Sequence, residues 1–117
     1  MYYNDNNSSY PNCLPWVYST DANWKTAGCL AVALKPYLNT LPVDPKNDSS
    51  VPWTTGNYSY AYGVTPDLQN YDLVAQLEII SDTDRCEVKQ WTYRNASTPS
   101  PWCNVSNGGS PYLYADH

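Results

Sequence analysis

Phenylalanine is absent from the 117 residues, and histidine occurs once, as the last residue. The chain therefore has no interior imidazole for a Ser-His or Cys-His pair, and it has no glycine-rich phosphate loop. Asp and Glu are present, but no spacing brings two of them together as a hydrolytic pair. The large side chains are twelve tyrosines and five tryptophans, whose polar tips suit half-exposed sheets. These absences predict a protein that is not an enzyme.

Basic residues are scarce, with six Lys and Arg against eleven Asp and Glu and a net charge of −5. Binding to a phosphate backbone depends on Lys and Arg, so we expect no nucleic-acid binding. The same charge favours a dissolved monomer for the isolated chain.

Long apolar runs are also absent. The longest, Cys29–Leu34, is far shorter than the ~20 residues that cross a bilayer. A chain of 117 residues suffices for one core, so we expect a single domain over 1–117.

The four cysteines are Cys13, Cys29, Cys86 and Cys103, without the close Cys-x-x-Cys spacing of a zinc site. An even set of this kind predicts an oxidising, extracytoplasmic compartment. Three pairings are possible, and the separations favour Cys13 with Cys29 and Cys86 with Cys103. A reactive thiol is the alternative, but no neighbouring histidine is there to lower its pKa.

The apolar period changes from about 3.6 to 2 along the chain, which predicts an α+β fold. A helix is expected near 24–38, capped by Asp21, Asn23 or Thr26, and Leu41-Pro42-x-Asp44-Pro45 then turns the chain, with Asp44 bonding its own backbone two residues on. Two paired strands follow at 57–62 and 71–79, joined by a loose hairpin at 66–70.

The remaining segments carry weaker signals. We expect a frayed helix end over 1–9, loops at 10–23 and 95–109, a third strand at 86–94 and an edge strand at 111–115. A polar turn region occupies 46–56.

Read in order, several short segments resemble the globular domain of type IV pilins and of the type II secretion pseudopilins. The segments are Tyr2-Tyr3-Asn4-Asp5-Asn6, Tyr10-Pro11, Tyr37-Leu38, Leu41-Pro42-x-Asp44-Pro45, Tyr58-x-Tyr60-x-Tyr62 and Tyr71-x-Leu73-x-x-x-Leu77-Glu78. Their order and spacing carry the resemblance, which covers roughly positions 2 to 80. It implies a pilin-like domain: the end of an amino-terminal helix, a short second helix packed on three or four antiparallel strands, and a disulfide-stapled carboxy-terminal loop.

The resemblance also implies a function. A pilin or pseudopilin is a structural subunit of a fibre that serves adhesion, motility, DNA uptake or secretion. It is anchored in the membrane before assembly and lies in a cell-surface fibre afterwards. Its partners would be other subunits, met through a hydrophobic helix ahead of this domain, and the inner-membrane assembly machinery.

Calcium is the only cofactor that the sequence suggests. Asp72, Asp82, Asp84 and Glu87 are acidic residues around the end of the second strand, and major pseudopilins carry a calcium loop after the matching strand. Here the strand runs on as Leu77-Glu78-Ile79-Ile80, without that subfamily's glycine-rich acidic loop. We therefore expect a solvated turn and no bound metal.

Two further features leave alternatives open. Asn-x-Ser sequons occur at Asn7, Asn47, Asn57, Asn95 and Asn104, as glycan acceptors or by chance in a chain rich in Asn and Ser. The many aromatic rings also fit a secreted carbohydrate-binding module that stacks sugars on a sheet face. We prefer core packing for Tyr58, Tyr60 and Tyr62, since a strand buried against a helix shows the same pattern.

Overall fold

The computed structural model describes residues 1–13, 15–25, 27–52, 56–76 and Glu78, and the backbone of 113–116. Its elements are helix α1, strand β1, a 3₁₀ turn, helix α2 and strands β2, β3 and β4. In that order they span Tyr2–Asp5, Trp16–Tyr18, Ala22–Trp24, Cys29–Leu34, Tyr60–Val64, Tyr71–Gln76 and Leu113–Asp116. The α+β expectation is confirmed.

The four strands form one antiparallel sheet in the order β1-β2-β3-β4. Tyr62 of β2 is the partner of both Val17 in β1 and Leu73 in β3. The predicted pairing of the two central strands is confirmed, and the predicted edge strand at 111–115 is observed one to two residues later, against β3. The predicted strand at 86–94 and loop at 95–109 lie outside the described residues.

Strand β1 lies in the segment that the sequence analysis assigned to a loop, and that prediction is wrong at Trp16–Tyr18. Three residues between proline-rich and polar stretches carry no usable periodicity of their own. The strand exists because it pairs with β2, and Ser19 extends the pairing through Ser19 N to Tyr60 O at 2.8 Å and Tyr60 N to Ser19 Oγ at 2.9 Å.

The helix predicted near 24–38 is shorter and begins at Cys29. Gly28 is its N-cap in extended backbone and packs so closely on the 3₁₀ turn that a Cβ there would lie 2.2 Å from the Ala22 carbonyl oxygen. Pro36 has no N–H to donate to the Val32 carbonyl, so regular helix stops at Leu34.

Neither Asp21 nor Asn23 caps α2, whose N-cap is Gly28. Asp21 precedes the 3₁₀ turn, and its carboxylate accepts a hydrogen bond from the Tyr18 amide at 3.0 Å instead. No side-chain bond caps α2, and Thr26 lies outside the described residues.

The turn after α2 forms as expected. The buried Asp44 accepts from Lys46 N at 2.9 Å and Asn47 N at 3.3 Å, so its carboxylate satisfies two backbone amides of the turn. The first central strand starts at Tyr60 rather than at 57. The Tyr58 amide instead donates to Asp48 Oδ1, and the Asp48 amide donates to the Tyr58 carbonyl, both at 3.2 Å. The hairpin closes at 66–70 through Leu68 N to Thr65 O at 2.8 Å.

One core lies between α2 and one face of the sheet. We call this the helix-side face; it carries Val17, Tyr62, Val64, Tyr71 and Leu73. The predicted disulfide Cys13–Cys29 is present and joins the loop before β1 to the first residue of α2, beside this core. The second predicted pair, Cys86 with Cys103, lies outside the described residues.

Candidate interaction site beside the first helix

An apolar groove runs between α1, α2 and the helix-side face. Its volume is about 410 Å³, and we call it the aromatic groove. Its lining is tyrosine, tryptophan, leucine, proline and methionine: Met1, Tyr2, Tyr3, Tyr10, Pro11, Trp24, Leu30, Leu34, Leu38, Leu41, Pro42, Tyr62, Tyr71 and Leu73. None of the described lining residues has a charged side chain, so this part of the groove suits an apolar occupant.

Side-chain hydrogen bonds fix α1 at one end of the groove. The Tyr3 hydroxyl donates to Gln69 Oε1 at 2.9 Å, and Gln69 Nε2 donates to the Ser8 carbonyl at 2.8 Å. On the other side, the Tyr37 hydroxyl donates to Asp5 Oδ2 at 2.7 Å. The single helical turn is therefore held to the β2–β3 loop and to the segment after α2.

A row of tyrosine rings forms the floor of the groove. Ring centroids of Tyr3 and Tyr10 lie 4.8 Å apart, those of Tyr10 and Tyr71 also 4.8 Å, and those of Tyr71 and Tyr62 6.3 Å. These are the separations at which aromatic pairs attract beyond simple burial. The Tyr62 hydroxyl donates to the buried Pro11 carbonyl at 3.0 Å, and burial raises the pKa of Tyr62 far above its ordinary value.

The apolar surface continues along the sheet past Leu73. A second depression of about 290 Å³ is lined by Trp24, Pro42, Tyr60, Leu73, Val74 and Ala75. The Trp24 indole is oriented by its bond to the Pro42 carbonyl at 2.9 Å. Leu73 stands where the two depressions meet and is 42% exposed. Its side chain is therefore open to contact by a surface that spans both depressions.

The predicted calcium ligands do not come together among the described residues. Asp72 is fully buried in β3 opposite Gly63, on the sheet face away from α2, and Asp82, Asp84 and Glu87 lie outside the described part of the chain. Within that part, no group of three or more potential metal ligands is present.

The sequons differ in their surroundings. Asn47 accepts from Ser19 Oγ at 2.5 Å and donates to the Ser19 carbonyl, and Asn57 donates to the Ser50 carbonyl at 2.7 Å. The side-chain amides of Asn47 and Asn57 are therefore engaged in hydrogen bonds within the domain. Asn7 is exposed in left-handed backbone, and Asn95 and Asn104 lie outside the described residues.

The core packing expected for Tyr60 and Tyr62 is confirmed, whereas Tyr58 lies outside the core cluster, before the first residue of β2. Trp24 and Tyr62 are 4% and 6% exposed, and Tyr58 takes the Lys46 ammonium over its ring at 4.0 Å. Sequence reasoning missed the groove itself, because it depends on contacts such as Tyr3 with Gln69, 66 positions apart.

No helix among the described residues has both the length and the apolar character needed to cross a membrane. Comparison with family models, with curated proteins and with solved structures gave no match in any of the three.

Proposed function

We propose that this domain is a non-enzymatic structural subunit, a pilin or pseudopilin, of a type IV pilus-like or type II secretion fibre. The observation that carries the proposal is the aromatic groove, which opens beside α1 and continues as exposed apolar strand surface at Leu73. A hydrophobic helix continuous with α1 would lie along this surface and cover it. Such a helix would anchor the subunit in the membrane before assembly and pack against other subunits in the fibre.

The geometry of α1 supports this arrangement. Bonds from Tyr3 to Gln69 and from Tyr37 to Asp5 tie the helical turn to the domain on both sides. A helix leaving the domain through this turn would keep a fixed direction. A fixed direction is needed in a fibre, because every subunit must present its surface in the same orientation to its neighbours.

The proposal places the assembled domain at the cell surface, in a fibre built by an inner-membrane assembly machinery. The disulfide between Cys13 and Cys29 supports an oxidising compartment of this kind.

Assembly in a cell that carries the matching machinery tests the proposal. The domain with a hydrophobic helix ahead of Met1 is compared with its Leu73→Asp variant, which places a charge in the surface that the helix would cover. We expect membrane insertion in both and fibres only in the parent, because a buried unpaired carboxylate is strongly unfavourable.

Asn12→Asp is the matched control, since Asn12 is exposed and does not line the groove. It adds the same charge and should leave the fibres intact. Fibres formed equally by Leu73→Asp, turnover of a glycan or peptide, or saturable glycan binding in the groove would contradict the proposal. The last result would favour the carbohydrate-binding module.

A further inference from the structure

A third depression shares Leu38 and Leu41 with the aromatic groove, but its lining also includes lysines. Its volume is about 170 Å³, and we call it the basic patch. Its lining consists of Trp24, Lys25, Ala31, Lys35, Leu38, Asn39, Thr40, Leu41 and Val43. Leu38 and Val43 are 48% and 49% exposed, so the patch offers open apolar side chains beside two lysines.

Both lysines of the patch lack an ionic partner among the described residues. The described chain shows an ion pair only at Lys46, whose ammonium lies 2.9 Å from Glu78 Oε2. None of the described residues that line the patch carries a carboxylate. In a protein of net charge −5, this leaves a local positive surface with apolar residues at its centre.

The β2–β3 loop provides a surface of the opposite sign. Asp67 is exposed on this loop, and its Oδ1 accepts from Thr65 Oγ at 2.5 Å and from Gln69 N at 3.1 Å. These bonds, the Thr65 hydroxyl first, lower the pKa of Asp67 and keep it anionic. Its orientation is thus fixed by the loop, while its second oxygen faces no described donor.

We propose that the basic patch binds the Asp67 loop of a second copy of this chain. Two basic patches facing each other would bring like charges together, so a two-fold contact through the patch is disfavoured. A contact between two different surfaces of identical subunits is heterologous, and it propagates along a row of copies unless its rotation closes a ring. The inference deepens the proposed function, on which it rests, by naming the surfaces through which neighbouring globular domains meet.

The proposed contact is small and its charges are exposed, so a single contact between two copies is weak. A helix that holds neighbouring subunits together would raise the effective concentration of the two surfaces, and the weak contact would then fix their relative rotation. The dilute isolated domain remains a monomer for the same reason.

Amide chemical shifts of the isolated 117-residue chain, recorded in low salt over a dilution series, test the contact. We expect the shifts of Lys25, Lys35 and the Asp67 loop to change together with concentration, and the changes to disappear in high salt. Lys35→Glu and Asp67→Lys should each weaken the self-association about fivefold or more.

An equimolar mixture of the two variants provides the decisive measurement. In the mixture, the unchanged basic patch of Asp67→Lys meets the unchanged Asp67 loop of Lys35→Glu, and association should return. Lys46→Glu is the matched control: it makes the same change in net charge away from the patch and should leave the self-association unchanged. Circular dichroism confirms that each variant is folded.

The inference is overturned if the wild-type shifts do not depend on concentration, if they change at other surfaces, or if the mixture fails to restore association. These results leave fibre assembly by the extended chain untouched. Loss of fibre assembly with an intact patch–loop contact would instead overturn the proposed function alone.

Discussion

Gly28 decides where α2 begins. A Cβ at this position would lie 2.2 Å from the Ala22 carbonyl oxygen and 2.3 Å from Asn23 Cα, and both are backbone atoms that cannot rotate away. The chain therefore turns from the 3₁₀ segment into the helix only because this residue has no side chain.

Gly28→Ala should lower the free energy of unfolding by about 3 kcal/mol, the range of an overpacked site. Gly56→Ala is the control, because its Cβ would meet nothing within 4 Å and only its φ of +86° is unfavourable. We expect that variant to lose about 1 kcal/mol. Urea unfolding measures both, and equal losses would contradict the close contact at Ala22.

Because of Tyr62, the free energy of unfolding of the domain should fall as the pH rises in the alkaline range. Burial raises its pKa in the folded protein, whereas an unfolded tyrosine ionises near a pH of about 10. Above that pH the unfolded chain has lost the proton and the folded chain retains it, so stability falls as the pH rises toward the folded pKa. The contribution is fully present below a pH of about 10.

Tyr62→Phe removes this contribution. At neutral pH it loses the bond to the Pro11 carbonyl, at a cost of about 1 kcal/mol. Between the two pKa values the loss of stability with pH should become shallower by as much as about 1.4 kcal/mol per pH unit. Tyr37→Phe is the comparison, since its raised pKa comes from the Asp5 hydrogen bond at an exposed site. Urea unfolding across the alkaline range checks this, and an unchanged slope in Tyr62→Phe would contradict it.

Among the elements, the short helix α2 depends most on a covalent link. The disulfide from Cys13 enters at its first residue, Cys29, across 16 positions of sequence. A six-residue helix is too short to persist alone in water. Its position is fixed instead by the link and by Leu30, which is 2% exposed in the core.

Replacing Cys13 and Cys29 with Ser should lower the free energy of unfolding by about 3 kcal/mol, as expected for a loop of this size. The melting temperature should fall by about 12 °C. Differential scanning calorimetry measures the change, with Ser8→Ala as an exposed control. A melting temperature within about 2 °C of the parent would show that the core alone positions α2. Non-reducing peptide mapping of the parent tests the remaining prediction, Cys86 with Cys103.

At the scale of the whole molecule, charge and exposed apolar surface oppose each other. The net charge of −5 favours separate molecules, while the aromatic groove and Leu73 leave apolar surface open to a partner. Among the described residues, the aromatic groove and the depression next to it adjoin at Leu73. Without a helix to cover it, the charge should prevail.

Sedimentation velocity of the dilute chain should therefore show a monomer in low and moderate salt. Leu73→Asp should sediment identically, since the monomer has no partner at this position to lose. If the parent forms a stable oligomer that Leu73→Asp dissociates, the groove is an interface between globular domains, contrary to the proposal that a helix covers it.

The sequence by itself determined the local features of this protein. Asp44 and its prolines specify the turn, the period of two specifies the paired central strands, and the spacing of Cys13 and Cys29 favours the observed disulfide. The turn and the strands depend on residues that are close in sequence, and the disulfide was one of only three possible sets of pairs. The chemistry of single segments was therefore sufficient to predict these features.

Only the tertiary structure decided where α2 begins, that β1 exists and that the aromatic groove forms. Gly28 is needed because the 3₁₀ turn lies against it, β1 is a strand because β2 supplies its hydrogen bonds, and Tyr3 reaches Gln69 from 66 positions away. No local period records such contacts, since each depends on how distant segments are brought together by the core. The candidate site could therefore be identified only from the tertiary structure, whereas the fold class could be predicted from the sequence.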